Sequence, residues 1–202
     1  MDSAEQDVKL RLLLAAKKLF AQQGFDRTTT RQVAEEAGAN VALISYYFGG
    51  KEKIFEAIFE FFLPKELILE SLNRSFHPVE GICFIIEQVT HFRYREPELM
   101  LIVQQEISLG TPRRELVRKH MFPIWGKLRD LLEEGRRCGV FRFRSLDHAF
   151  LSVLGTILFH KKSDYFQPLM TEAPQSAQEL VDHLTDYVLG GLHFNGDGDT
   201  QR

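Results

Sequence analysis

Thr29, Thr30 and Arg31 open one short stretch of helical pattern, and Asn40, Val41, Ala42, Leu43, Ser45, Tyr46 and Tyr47 occupy the next, with only Gly38 and Ala39 between them. Lys51 follows four residues later. Hydroxyls, phenols, a guanidinium and an ammonium at this spacing suit contact with phosphate oxygens and base edges rather than the making and breaking of bonds. The chain has no HExxH, GxSxG or phosphate-loop pattern and no paired ExxH ligands, so no catalytic centre and no enzyme activity are expected. Cys83 and Cys138 stand far apart outside any CxxC spacing, which gives no basis for a metal, a cofactor or a disulfide framework.

Such residues work only if short helices hold them out, and the flanking sequence supplies the means. Val8, Leu12, Ala15, Ala16, Leu19 and Phe20 recur at the spacing of an amphipathic helix that leaves Lys17 and Lys18 outside and stops at Gly24. Thr29 and Gln32 form a T-x-x-Q capping box for a second helix that ends at Gly38. Asn40 is placed to cap a third, from Val41 to about Tyr47. Helices this short are marginal in water alone, so the first helix and the apolar face Ile54, Phe55, Ile58, Phe59 must give them a core. Two short helices joined by a glycine turn match a helix-turn-helix whose second helix enters a DNA major groove.

Charge does not carry that reading. The net charge is −3, and residues 1–60 hold eight Lys and Arg against nine Asp and Glu, so any nucleic-acid contact must be local. The N-terminus carries Asp2, Glu5 and Asp7 and lacks an export signal, and no apolar run approaches the about 20 residues that span a bilayer. A cytoplasmic protein without membrane association is expected.

The run GFDRTTTRQVAEEAGANVALISYYFGGKEKIFEA closely resembles the N-terminal DNA-binding segment of the tetracycline-repressor (TetR) family. Gly24-Phe25, Thr28-Thr29, Val33-Ala34, Ala37-Gly38, Ile44, Tyr47-Phe48 and Lys51-Glu52 fall in that family's register. The resemblance implies a homodimer on a near-palindromic double-stranded operator, its half-sites one helical turn, ~34 Å, apart. It assigns Thr29, Thr30 and Arg31 to the DNA-facing start of the second helix, with Arg31 on phosphate or a base. Val41, Ala42 and Leu43 would face base edges, Tyr46 and Tyr47 would flank the groove, and Lys51 would bind phosphate at the start of the fourth helix. Ser45 stands where the family often has Tyr and Leu43 where a small polar residue is common, so the reading surface is unusually apolar and leans on thymine methyls and DNA shape.

The whole chain reads as all-α: a three-helix DNA-binding domain over 1–50, the start of a connecting helix over 51–64 broken near Pro64, a helical bundle for ligand binding and dimerisation over 65–194, and a flexible tail over 195–202. His160 with Lys161 and Lys162 reads as a helix terminus. The resemblance implies a small-molecule effector inside the bundle, and composition offers Phe84, Phe92, Met100, Phe122, Trp125 and Phe159 for an apolar or amphipathic one. Phe150, Leu151, Leu154 and Leu158 with Leu180, Val181, Leu184 and Val188 are the candidates for a four-helix dimer interface, the alternative being that they pack within one chain. The function expected is a ligand-responsive transcriptional regulator, a repressor released by its effector. The alternative is a helix-turn-helix interaction protein that no longer binds an operator.

Overall fold

The computed structural model describes residues 3–159, 166–173 and 175–194. Every regular element among them is helical: α1 Ser3–Gln23, α2 Thr30–Glu36, α3 Ala42–Phe48, α4 Lys51–Phe62, α5 Lys65–Asn73, α6 Pro78–Arg95, α7 Pro97–Leu109, α8 Arg114–Arg137, α9 Leu146–Phe159, a single 3-10 turn Gln167–Leu169, and α10 Ala177–Gly191. The readings for His160, Lys161, Lys162 and the tail 195–202 lie outside the described residues. The chain divides into two compact units, the first holding residues up to Leu67 together with Glu96–Phe122, the second holding Ile68–Arg95 and the chain from Pro123 onward.

The first unit is built on aromatic rings. Phe20, Phe25, Phe55 and Phe59 are all buried, with Phe25 set edge-on to Phe55 at 5.4 Å and Phe55 against Phe59 at 5.2 Å. Leu12, Ala16, Val33, Ala34, Ile44, Ile54 and Ile58 fill in around them, so the short α2 and α3 draw their stability from this shared core.

The division differs from the expected domain boundary, because residues 96–122 belong with the N-terminal helices. Leu99 and Ile102 of α7 are buried, and Gln105 Nε2 donates to the Ala21 carbonyl at 3.0 Å, satisfying an orphan acceptor at the end of α1. Lys17, expected to be solvated, is instead only 7% exposed. Its ammonium lies 2.7 Å from Glu96 and 3.9 Å from the centre of the Phe62 ring, so a carboxylate 79 residues away makes its burial tolerable.

In the second unit the stripe Leu180, Leu184, Val188 of α10 joins Ile82, Ile85 and Ile86 of α6 and Leu128, Leu131 and Leu132 of α8 in one core. Two glycines allow the closest approaches. A Cβ on Gly81 would come 2.7 Å from Leu131 Cδ1, and one on Gly135 would come 2.0 Å from Phe141 Cδ2 in a fully buried ring. Ser176 and Glu179 form a capping box at the start of α10, and the amides there hold the Glu179 carboxyl below its ordinary range.

Candidate nucleic-acid interface

The helix-turn-helix is assembled by local hydrogen bonds. Thr29 Oγ1 accepts from the Gln32 amide at 3.2 Å while the Thr29 amide donates to Gln32 Oε1 at 2.9 Å, completing the expected capping box. The Ala39 amide donates to the Ala34 carbonyl at 2.9 Å to close the turn, and Arg11 Nη1 of α1 donates to the Ala37 carbonyl at 2.8 Å. The expected cap shifts by one residue: Val41 is the N-cap of α3 and offers no side-chain bond, while Asn40 Oδ1, just before it, accepts from the Ala42 amide at 2.9 Å. Gly49 (φ 82°) and Gly50 (φ 144°) then reverse the chain into α4 with torsions that side chains rarely adopt.

This arrangement turns Ile44 inward, at 1% exposure, and leaves Val41, Ala42, Ser45 and Tyr46 exposed as one face of α3. Tyr46 is 72% exposed and its ring lies 5.0 Å from the half-buried Tyr47. Desolvation, then the Glu5 carboxylate, raises the Tyr47 phenol above its ordinary value and keeps it a neutral donor. Leu43, expected on the reading face, is half-buried to one side of it. Thr30 is half-buried at the start of α2, and Arg31 extends into solvent with 84% of its side chain exposed. Its 3.0 Å pair with Glu35 is of the exposed kind that contributes little and is easily exchanged for a phosphate.

Lys51, expected to meet phosphate, is engaged within its own unit. Its ammonium donates to the carbonyls of Phe25 at 3.0 Å and Thr28 at 2.8 Å and sits 4.2 Å from the centre of the Phe25 ring. These contacts tie the start of α4 to the main chain that leads into α2. Arg11, Lys17 and Arg113 make further contacts inside this unit that the sequence does not signal. Arg113 stands 4.0 Å from the centre of the Phe25 ring, but in sequence it is 88 positions away from it, and no periodicity signals such a contact.

The residues expected to line an effector pocket are divided between the two units. Met100 and Phe122 belong to the first unit, and Phe84, Phe92, Trp125 and Phe159 to the second. Phe92 is buried, and Phe84 and Trp125 pack on the core, whereas Phe122 and Phe159 are 58% and 71% exposed. The dimer candidates divide too. Leu180, Val181, Leu184 and Val188 are at most 6% exposed within the single chain, and the i, i+4, i+8 stripe of α10 packs on α6, as in the alternative of packing within one chain. Phe150 and Leu154 also pack on that core, and Leu151 and Leu158 remain outside. Beside them two adjoining grooves of α9 and α10, about 270 and 490 Å³, share Thr156 and Tyr187. Among the described residues no cluster of His, Cys, Asp and Glu could hold a metal ion, and no helix is long and apolar enough to cross a membrane.

Residues 12–58, which carry the helix-turn-helix and the turn into α4, match the family of bacterial regulatory proteins named tetR. This segment is of the TetR family. The HTH-type transcriptional repressor NicS of Pseudomonas putida is 25% identical over 191 residues, covering 90% of each chain. The probable HTH-type transcriptional regulator YttP of Bacillus subtilis is 27% identical over 165 residues, covering 79% of this chain and 78% of YttP. Among solved structures, the hemolysin II transcriptional regulator HlyIIR superposes with a TM-score of 0.70 at 28% identity, over 90% of this chain and 99% of HlyIIR. The likeness extends past the matched segment, since NicS and HlyIIR each match 90% of this chain. These relatives are transcriptional regulators rather than enzymes.

Proposed function

We propose that this TetR-family regulator is a repressor that binds a palindromic operator as a homodimer and leaves it when a small apolar or amphipathic effector binds the helical bundle. The observation that carries the reading is the α3 face Val41, Ala42, Ser45 and Tyr46, held outward beside the exposed Arg31. Val41 and Ala42 offer methyls to thymine, Ser45 and Tyr46 offer hydroxyls to phosphate, and Arg31 is the polar reader. NicS is itself named a repressor, which supports the sign of regulation.

Dimerisation is assigned to the outer face of α9 and α10, where Leu151 and Tyr187 are 61% and 65% exposed. Effector binding releases DNA to the extent that the effector prefers a dimer whose two α3 helices no longer match the half-site spacing. The aromatic side chains Phe84, Phe92 and Trp125 support an apolar or amphipathic effector.

The test is selection of bound fragments from random and genomic DNA with the full-length protein. A palindromic consensus with affinity that falls steeply with salt is expected. Failure of a folded dimer to enrich any sequence ends the repressor reading. It would favour an interaction protein that has lost its operator, a reading supported by the inward turn of Lys51 and the negative net charge.

A further inference from the structure

The segment between α1 and α2, residues 24–29, sets how the reading pair leaves the core. Phe25 is buried, Thr28 is fully buried with its hydroxyl donating to the Gly24 carbonyl at 2.8 Å, and Lys51 ties down the carbonyls of Phe25 and Thr28. One further cation reaches the same place from the turn between α7 and α8. Arg113, with only 14% of its side chain exposed, puts its guanidinium 4.0 Å from the centre of the Phe25 ring that Lys51 also covers. From there the planar fork reaches three carboxylates: Glu106 at 3.1 Å, Asp26 at 3.3 Å and Glu52 at 3.9 Å.

These partners differ in kind. Glu106 is buried at 3% exposure, accepts from the Thr111 hydroxyl as well, and fixes the guanidinium to the α7–α8 turn. Asp26 is in the segment that enters α2, and Glu52 is in the first turn of α4, which follows α3. One side chain therefore holds both flanks of the α2–α3 pair to a turn outside it, and a planar fork stacked on an aromatic ring suits this better than an ammonium would. We infer that Arg113 is a positioning residue for DNA binding: it sets the attitude of α2 and α3 without touching DNA. The inference rests on the reading of α3 as the DNA-reading helix.

The test uses the full-length protein with Arg113→Met, which keeps the packing on Phe25, combined with Glu106→Gln so that no unpaired carboxylate is left buried. Amide hydrogen exchange over residues 24–48 is expected to quicken about tenfold while that of α6 is unchanged. Affinity for a selected DNA fragment is expected to fall about tenfold, with the slope of log affinity against log salt preserved. Should the double variant fail to fold, Asp26→Asn with Glu52→Gln cuts the two exposed ties, leaves the Arg113–Glu106 pair in place, and is expected to loosen the same amides to a smaller degree. Unchanged exchange over 24–48 overturns the inference. So does a slope reduced by about 0.9, the mark of a lost phosphate contact. If the wild type enriches no DNA, the repressor reading fails by itself, and exchange still decides whether Arg113 fixes α2 and α3.

Discussion

Lys51 donates from Nζ to the carbonyl oxygen of Thr28 at 2.8 Å, and Thr28 is the last buried residue before α2 begins. A cation placed this way supports the reading pair from behind, whereas Arg31 faces solvent. Lys51→Ala is therefore expected to lower stability by about 1–3 kcal/mol, the range for a hydrogen bond to a charged group, as read by urea denaturation. Arg31→Ala is expected to leave stability within about 0.5 kcal/mol of wild type. Its effect should fall on DNA, with weaker binding and, if it meets phosphate, a salt slope reduced by about 1. Equal effects of both substitutions on the slope would contradict the inward assignment of Lys51.

The capping box at α2 gives a second measurable quantity. Thr29→Ala removes the acceptor of the Gln32 amide and is expected to cost about 1 kcal/mol of stability, read by urea denaturation. Thr29→Asn keeps a capping acceptor and should retain most of that stability.

Gly135 tests the second unit. An alanine there would set its methyl carbon 2.0 Å from Phe141 Cδ2, and the ring, 2% exposed, has nowhere free to move. Gly135→Ala is expected to destabilise by about 1–3 kcal/mol through overpacking, despite the better helix propensity of alanine. Gly155→Ala, on α9 with open space around it, provides the contrast and should be neutral or mildly stabilising.

Surface and core positions of α9 and α10 separate assembly from folding. Leu151→Glu is expected to yield a folded monomer by sedimentation, because Leu151 is 61% exposed on the face assigned to the partner chain. Leu184→Ala, at 0% exposure, should instead cost about 2–5 kcal/mol of stability. A Leu151→Glu protein that stays dimeric would move the interface elsewhere.

His120 stacks on Phe59 at 5.6 Å in the first unit. Burial, then Lys119 and Lys65, lowers its pKa from the ordinary 6.5, against a weaker opposing pull from Glu60. The unfolded chain thus takes up this proton at a higher pH than the folded one. Stability from this site is full above the ordinary value, falls as pH drops through about 6.5, and levels off below the folded value. His120→Gln should flatten the urea midpoint between about pH 7.5 and 5, and an unchanged slope would count against the assignment.

Sequence legibility followed the distance between partners. The α2 cap, the stops at Gly24 and Gly38 and the break near Pro64 were readable because each depends on neighbours within a turn. The burial of Lys17 and the carbonyl contacts of Lys51 are not legible, because Glu96 is remote in sequence and the partners of Lys51 are carbonyls that no side-chain pattern displays. The stripe Leu180, Leu184, Val188 announced a covered face without saying what covers it; α6 of the same chain does. The exposure of Val41, Ala42, Ser45 and Tyr46 follows from helical spacing about the buried Ile44, whereas the half-burial of Leu43 depends on the side from which the first unit's core approaches.

The polypeptide visits its N-terminal unit twice, once up to Leu67 and again over Glu96–Phe122. A fragment severed after Leu67 would strip Leu99 and Ile102 from α1 and strand the Lys17 ammonium without Glu96. Anyone grafting this head onto another regulator must transplant both stretches together. A chimera joined at one seam would inherit the letters that read DNA but not the masonry under them.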